Sequence, residues 1–313
     1  MTIRVKIVAV ILVAGCMAGG LALSQAAAQG ASPSATVPAA APAEGTPSGK
    51  ASEGGRPDAG GAPAQPQSQG APPVPAAPDQ EAAKAAGLCE VPEYLRTTES
   101  SLGKVAEVIK AHQKLEILVV GSRSSMLSGP DGAGMSYPAQ LESALRDKLP
   151  GVTVSVATDL QVKRTAAEVA EGLEKLAKDR KPTLVIWQTG TVDAVRSVDP
   201  DDFRAAIDDG VTGLLNAGTD VLLMNLQYSP RMETMITVAP YLDNMRVGAQ
   251  EHNVPLFDRF ALMRYWNENG LFDLFNPHHG FGLAKRVHEC LGQALAAFVI
   301  EAAHATPADK VQR

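Results

Sequence analysis

None of the 7 Phe, 5 Tyr and 2 Trp precedes Tyr94, whereas half of the 22 prolines fall between Pro33 and Pro78. A stretch without aromatic side chains and punctuated by proline cannot bury enough apolar surface to offset the entropy of ordering it. Residues 1–86 are therefore excluded from any core, and about 220 residues remain for a single medium-sized domain. Clustered lysine and arginine are also missing. With 28 Lys+Arg against 34 Asp+Glu and a net charge of -6, the chain lacks the basic surface that phosphate neutralisation requires, so no nucleic-acid partner is expected. No apolar run near 20 residues follows the first 29, so the mature chain is expected to have no transmembrane segment. Cysteine is scarce at 3 residues, with no CxxC pair. The histidines His278, His279 and His288 lack the spacing of a known metal site, so neither a metal nor any other cofactor is expected.

What is present at the N-terminus reads as an export signal over residues 1–29. Arg4 and Lys6 form a positive end, residues 7–13 are apolar, and Ala26-Ala27-Ala28 offers a small-residue cleavage site before Gln29. Val13-Ala14-Gly15-Cys16 also reads as a lipobox that would lipidate Cys16. The apolar run from Met17 to Leu23 favours the soluble product, in a periplasmic or secreted location. Either route leaves Cys89 and Cys290 as an even pair in an oxidising compartment, where a disulfide is the expected state. Residues 30–86 read as a disordered Ala/Pro-rich tether, residues 87–305 as the domain and residues 306–313 as a flexible tail.

Within the domain, short β-branched runs at 115–120, 152–157, 183–187, 220–226 and 254–258 predict buried strands. Helical apolar spacing covers 102–112, 137–149, 165–177, 201–215, 233–252 and 281–304. Strand–helix alternation with continuously apolar strands predicts an α/β fold: a flavodoxin-like three-layer sandwich whose five-stranded parallel sheet carries helices on both faces, in strand order 2-1-3-4-5. Such sheets place their sites at the carboxyl ends of the strands.

The loops at those ends carry a resemblance. The first strand ends in Gly121-Ser122-Arg123-Ser124-Ser125, followed by Ser136-Tyr137-Pro138. The third runs into Trp187-Gln188-Thr189-Gly190-Thr191-Val192-Asp193-Ala194, and the fifth leads to Asn276-Pro277-His278-His279. In order and content these blocks resemble the SGNH (GDSL-like) hydrolase superfamily. That resemblance implies ester hydrolysis by a serine nucleophile in the first block, oxyanion donors at a Gly amide and an Asn side chain in the second and third, and an Asp-x-x-His pair in the fifth. A nucleophilic hydroxyl needs a base within hydrogen-bond reach and a third group to orient that base.

Position by position, the sequence departs from the family pattern. Arg123 stands at the nucleophile position, Leu160 at the Gly, Val192 at the Asn and Asn276 at the orienting Asp. Arginine stays protonated at any ordinary pH. Losing one oxyanion donor costs about 100- to 1000-fold in rate, and an Asp-to-Asn change beside the base costs roughly 10,000-fold in serine proteases. Ser124 and Ser122 flank Arg123 and are the candidate nucleophiles, with Ser124 preferred and His279 as the candidate base; both serines read equally as turn-capping hydroxyls. Gly121, Arg123, Leu160, Gln188, Gly190, Val192, Asp193 and Asn276 are the expected pocket. Arg123 and Asp193, at the ends of adjacent strands, are either an ion pair or two separately solvated charges. The resulting expectation is an eroded esterase site that binds an acylated or carbohydrate ligand or an envelope component with little turnover. Its rivals are a working periplasmic esterase or O-deacetylase using Ser124 or Ser122 with His279, and a structural cell-envelope protein.

Overall fold

The computed structural model describes residues 89–275 and 280–304. The expectations for the export signal, the tether and the tail, and for Asn276, His278 and His279, lie outside the described residues.

Five strands, β1 (Lys114–Gly121), β2 (Thr153–Leu160), β3 (Leu184–Gln188), β4 (Asp220–Met224) and β5 (Leu256–Phe257), form one parallel sheet in the order β2-β1-β3-β4-β5. This is the order that the alternation predicts. Burial explains the strand composition: all five residues of β3 are buried, and so are Ile117 and Leu118 through Gly121 at the end of β1, because helices cover both faces. Register fixes what meets at the carboxyl edge. Gly121 lies opposite Leu160, and Val120 lies opposite Trp187. The ends of the first three strands in chain order therefore share one rim.

The helices are α1 (Gly103–Lys110), α2 (Gly132–Met135), α3 (Tyr137–Lys148), α4 (Ala166–Arg180), α5 (Thr191–Arg196), α6 (Pro200–Asn216), α7 (Pro230–Met235), α8 (Ala239–Glu251), α9 (Arg259–Glu268) and α10 (Gly280–His304). One layer packs α3 and α1 against α10, and the other packs α4 on α6 and α6 on α8. Local chemistry starts several of them. Thr165 and Glu168 form a reciprocal capping box on α4, and Asp199 caps α6 with Pro200 in its first turn. Among the described residues no helix is long and apolar enough to cross a membrane.

Beside the short α2 and α5, which the periodicity does not predict, and small shifts of strand ends, two larger differences from that reading stand out. The helix expected over 233–252 is broken into α7 and α8, with Ile236 extended between them at φ -133°. Pro240 is the reason: its ring would meet the carbonyl four residues back, that of Ile236, in a continuous helix. A further helix, α9, follows the fifth strand, where the sequence reading had only a connection. Asp258 starts it by accepting the Ala261 amide at 2.9 Å, and Phe260, Leu262, Met263 and Trp266 are buried along it.

The expected disulfide is formed. Cys89 and Cys290 are bonded across 201 positions with their Cα atoms 4.9 Å apart, which ties the start of the described chain to α10. Beside it, the Trp266 indole donates to the Glu90 carbonyl at 2.9 Å.

Candidate functional site

The carboxyl end of β1 folds back sharply. Ser122 is extended and Arg123–Ser125 form a single 3-10 turn, so three serine hydroxyls are presented in succession. Gly121 permits the return: a Cβ there would stand 2.2 Å from Ser125 Oγ. Gln188, buried at the end of β3, ties the turn down. Its Oε1 accepts from Ser125 Oγ at 2.6 Å, from the Ser122 amide at 3.2 Å and from Ser122 Oγ at 3.3 Å. Ser122 Oγ and Ser124 Oγ lie 3.2 Å apart, and Ser125 Oγ also reaches the Tyr137 hydroxyl at 3.1 Å.

Behind this turn sits Arg259, the first residue of α9 and only 1% exposed. Its Nη1 donates to Ser124 Oγ at 3.1 Å and its Nη2 to the Ser124 carbonyl at 3.2 Å. The guanidinium lies 5.6 Å from the centre of the Tyr137 ring. Among the described residues no carboxylate pairs with it, and its Nε has no partner. Burial lowers its pKa to about 10, so it remains a cation at neutral pH. The same burial, and then the charge of Arg259, push the His288 imidazole down to about 3. His288 is therefore neutral, and its Nδ1 accepts the Tyr137 amide at 2.9 Å. That bond occupies one ring nitrogen in the core, which places His288 in a structural role.

In the second block, Leu160 ends β2 beside Gly121, and the amide of the following Gln161 is used by the Gly121 carbonyl at 2.7 Å. Lys163 sits in the left-handed region at φ 62°, and Arg196 donates to its carbonyl at 2.8 Å. In the third block, Gly190 adopts φ 93°, and a Cβ there would also come within 2.6 Å of Leu226 Cδ1, so only glycine fits this turn into α5. Val192 follows two residues later, and its side chain offers no donor.

Asp193 corrects an expectation. It makes no ion pair with Arg123: its carboxylate is 1% exposed and its Oδ1 accepts the Ala166 amide at 2.8 Å, at the start of α4. Burial raises its pKa, partly offset by that amide. Nor is it separately solvated. Arg123 points outward, with Nη2 donating to Ser128 Oγ at 2.8 Å.

Gly121, Ser122, Gln188, Gly190, Val192 and Asp193, six of the residues named from sequence, line one cavity, joined by Gln161 and Thr191. It leaves about 10 Å³ for the centre of a water-sized group, enough for roughly one oxygen atom at its base. Arg123, Ser124 and Leu160 are not in its wall. Among the described residues no cluster of His, Cys, Asp or Glu could hold a metal ion. The sequence reading missed Ser125, Tyr137, Arg259 and His288 as members of the network. A charged residue directly after the Asp258 cap, heading an otherwise apolar helix, is the signal that could have found Arg259.

The fold has solved relatives. A two-domain esterase (CEX) described as active on acetylated mannans superposes with a TM-score of 0.52 at 12% identity, covering 66% of this chain and 54% of that one. TesA aligns at 20% identity over 58% of this chain and 99% of its own, with a TM-score of 0.47. Axe2, an acetyl-xylooligosaccharide esterase from Geobacillus Stearmophilus, aligns at 18% identity over 59% and 94%, with a TM-score of 0.48. No curated protein matches the chain. The model of the Non-GDSL lipase-like family matches residues 88–305, and the chain belongs to that family.

Proposed function

We propose that this is an exported SGNH-hydrolase-like protein that binds an acylated or carbohydrate ligand at the ends of β1 and β3 with little or no turnover. The observation that carries the reading is the wiring of the loop hydroxyls. Ser124 Oγ accepts from a permanent cation, Ser125 Oγ is spent on Gln188, and among the described residues no imidazole or carboxylate bonds any of the three serines. A serine nucleophile needs the opposite arrangement, a base that takes its proton. Val192 supplies no oxyanion donor, and Arg123 at the family's nucleophile position is turned to Ser128. The ligand class follows from the polar wall of Ser122, Gln161, Gln188 and Thr191, suited to one acyl or hydroxyl oxygen.

Hydrolysis of p-nitrophenyl acetate tests it. Wild-type protein should be no faster than His279→Ala, and Arg123→Ser alone should restore little. Adding Val192→Asn and Asn276→Asp should recover activity in excess of the separate gains, since residues acting as a unit are non-additive. The second reading, an esterase or O-deacetylase using Ser124 with His279, draws on the Arg259 donor 3.1 Å from Ser124 Oγ, which would stabilise a developing alkoxide. A wild-type rate well above background that disappears in Ser124→Ala would establish that enzyme. A structural cell-envelope role would show instead as recovery from envelope fractions by pull-down without acyl-ligand binding. Export rests on the signal grammar of residues 1–29. Mass spectrometry of the mature protein should place its N-terminus near Gln29, and a lipidated Cys16 would replace the soluble form by an anchored one.

A further inference from the structure

We propose that Arg259 makes Ser124 and Ser122 a directional hydrogen-bond relay, whose terminal Ser122 hydroxyl donates to the carbonyl oxygen of a bound acyl group. The proposal rests on the low-turnover reading above and gives that site its recognition chemistry.

Direction follows from donor and acceptor counting. A guanidinium can only donate. With Arg259 Nη1 at 3.1 Å, Ser124 Oγ must therefore accept, which leaves its own hydrogen for another oxygen. Either hydroxyl of the 3.2 Å Ser122–Ser124 pair could donate; the relay takes Ser124 as the donor, the direction that gives its hydrogen a partner while pointing it away from the Arg259 charge. Ser122 Oγ has a second lone pair, which faces the Gln188 Nε2 donor at 3.3 Å. Both of its acceptor positions are thus filled, and one hydrogen remains. Its nearby internal acceptor, Gln188 Oε1 at 3.3 Å, already takes Ser125 Oγ at 2.6 Å and the Ser122 amide at 3.2 Å. The 3.3 Å contact of Ser122 Oγ is the longest of the three on that oxygen, so the Ser122 hydrogen is the donor most easily turned from Gln188 to a ligand. Ser122 also lines the cavity, which has room at its base for about one oxygen.

Arg259 sets the strength of that donor. Among the described residues no carboxylate neutralises it, and it is shielded from water. Hydrogen bonds in a chain polarise one another, more so at low local dielectric, so the buried charge is expressed two hydroxyls away, where the Val192 side chain has no amide to offer. Thr191 Oγ1, also on the cavity wall and without a partner among the described residues, is a second hydroxyl there, but it makes no contact with the Arg259 chain. Asp193 Oδ1 is held by the Ala166 amide, and Arg164 is bonded to Gln161 Oε1 and the Glu168 carbonyl. Ser122 and Ser124 are on this account binding residues, and Arg259 positions and polarises them.

The test is infrared difference spectroscopy of p-nitrophenyl acetate carrying a 13C carbonyl, mixed with the full chain. The ester carbonyl band should move to lower frequency on binding to wild-type protein. Ser122→Ala should abolish the movement. Ser124→Ala should shrink it and weaken binding about tenfold, the scale of one charge-assisted hydrogen bond, in protein shown by its melting transition to be folded. Arg259→Gln should shrink it too; if that variant does not fold, Ser124→Ala alone decides. An unshifted band, no binding of the ester, or a shift identical in Ser124→Ala overturns the relay. Release of nitrophenolate that depends on Ser124 is a separate signal in the same sample, and it overturns the low-turnover reading instead.

Discussion

Acidification below pH 6.5 should destabilise the domain steeply through one imidazole. His288 is neutral in the core with its pKa depressed from 6.5 to about 3, first by burial and then by the charge of Arg259. The unfolded chain therefore binds a proton over that interval which the folded chain refuses. Stability from this group is fully present above pH 6.5 and is lost as the pH falls toward 3, on the order of 4 kcal/mol across the window. Against a typical total of about 5–15 kcal/mol, that is a large share. Buried Asp193 and half-buried Asp220 act in the opposite sense, since desolvation raises their pKa values and the folded state takes up their protons first. Comparing variants removes that background. Urea unfolding of wild type and His288→Gln at pH 4, 5, 6 and 7 should show a shallower pH dependence in the variant, whose side-chain oxygen can still accept the Tyr137 amide. Parallel pH profiles would mean that the imidazole is protonated as easily folded as unfolded.

The frame of the fold is written locally, and so it was legible. Each strand is a short apolar run between polar turns, and strand–helix alternation with right-handed crossovers leaves few orders for the sheet. Errors occurred where one residue overrides a pattern. Pro240 splits a helix that the apolar spacing extends from 233 to 252. Asn225 ends β4 early, because its side chain accepts the Phe260 amide at 2.9 Å and donates to Asp258 at 2.7 Å. The departures from the family blocks at Arg123, Leu160 and Val192 could be seen in the sequence. The network that replaces them could not, because it joins remote segments: Ser124 meets Arg259 across 135 positions and Tyr137 meets His288 across 151. The direction of Asp193 was missed for a related reason. An acid at a strand end invites pairing with the nearest arginine, but the amide at the start of α4 offers a desolvated carboxylate a partner already fixed in place.

Opening the Cys89–Cys290 bond should cost roughly 4–5 kcal/mol, the loop-closure estimate for a separation near 200 residues. The pairing was expected from cysteine count and compartment, and the structure adds what it holds in place. Cys290 is buried on α10, and next to Cys89 the Glu90 carbonyl accepts the indole N–H of the fully buried Trp266. Release of the chain start would leave that indole unpaired, adding about 1–3 kcal/mol if nothing replaces the bond. Guanidinium unfolding of oxidised protein, reduced protein and Cys89→Ser should therefore give a high midpoint for the first and a low, shared midpoint for the other two, with no further effect of reductant on the variant. Trp266 provides a local readout, because its fluorescence should change on reduction before the sheet, which encloses Trp187, unfolds. Equal midpoints for oxidised and reduced protein would show that the bond closes a loop already held by the packing of α10 on α3 and α1, and would remove the cross-link from the account of stability.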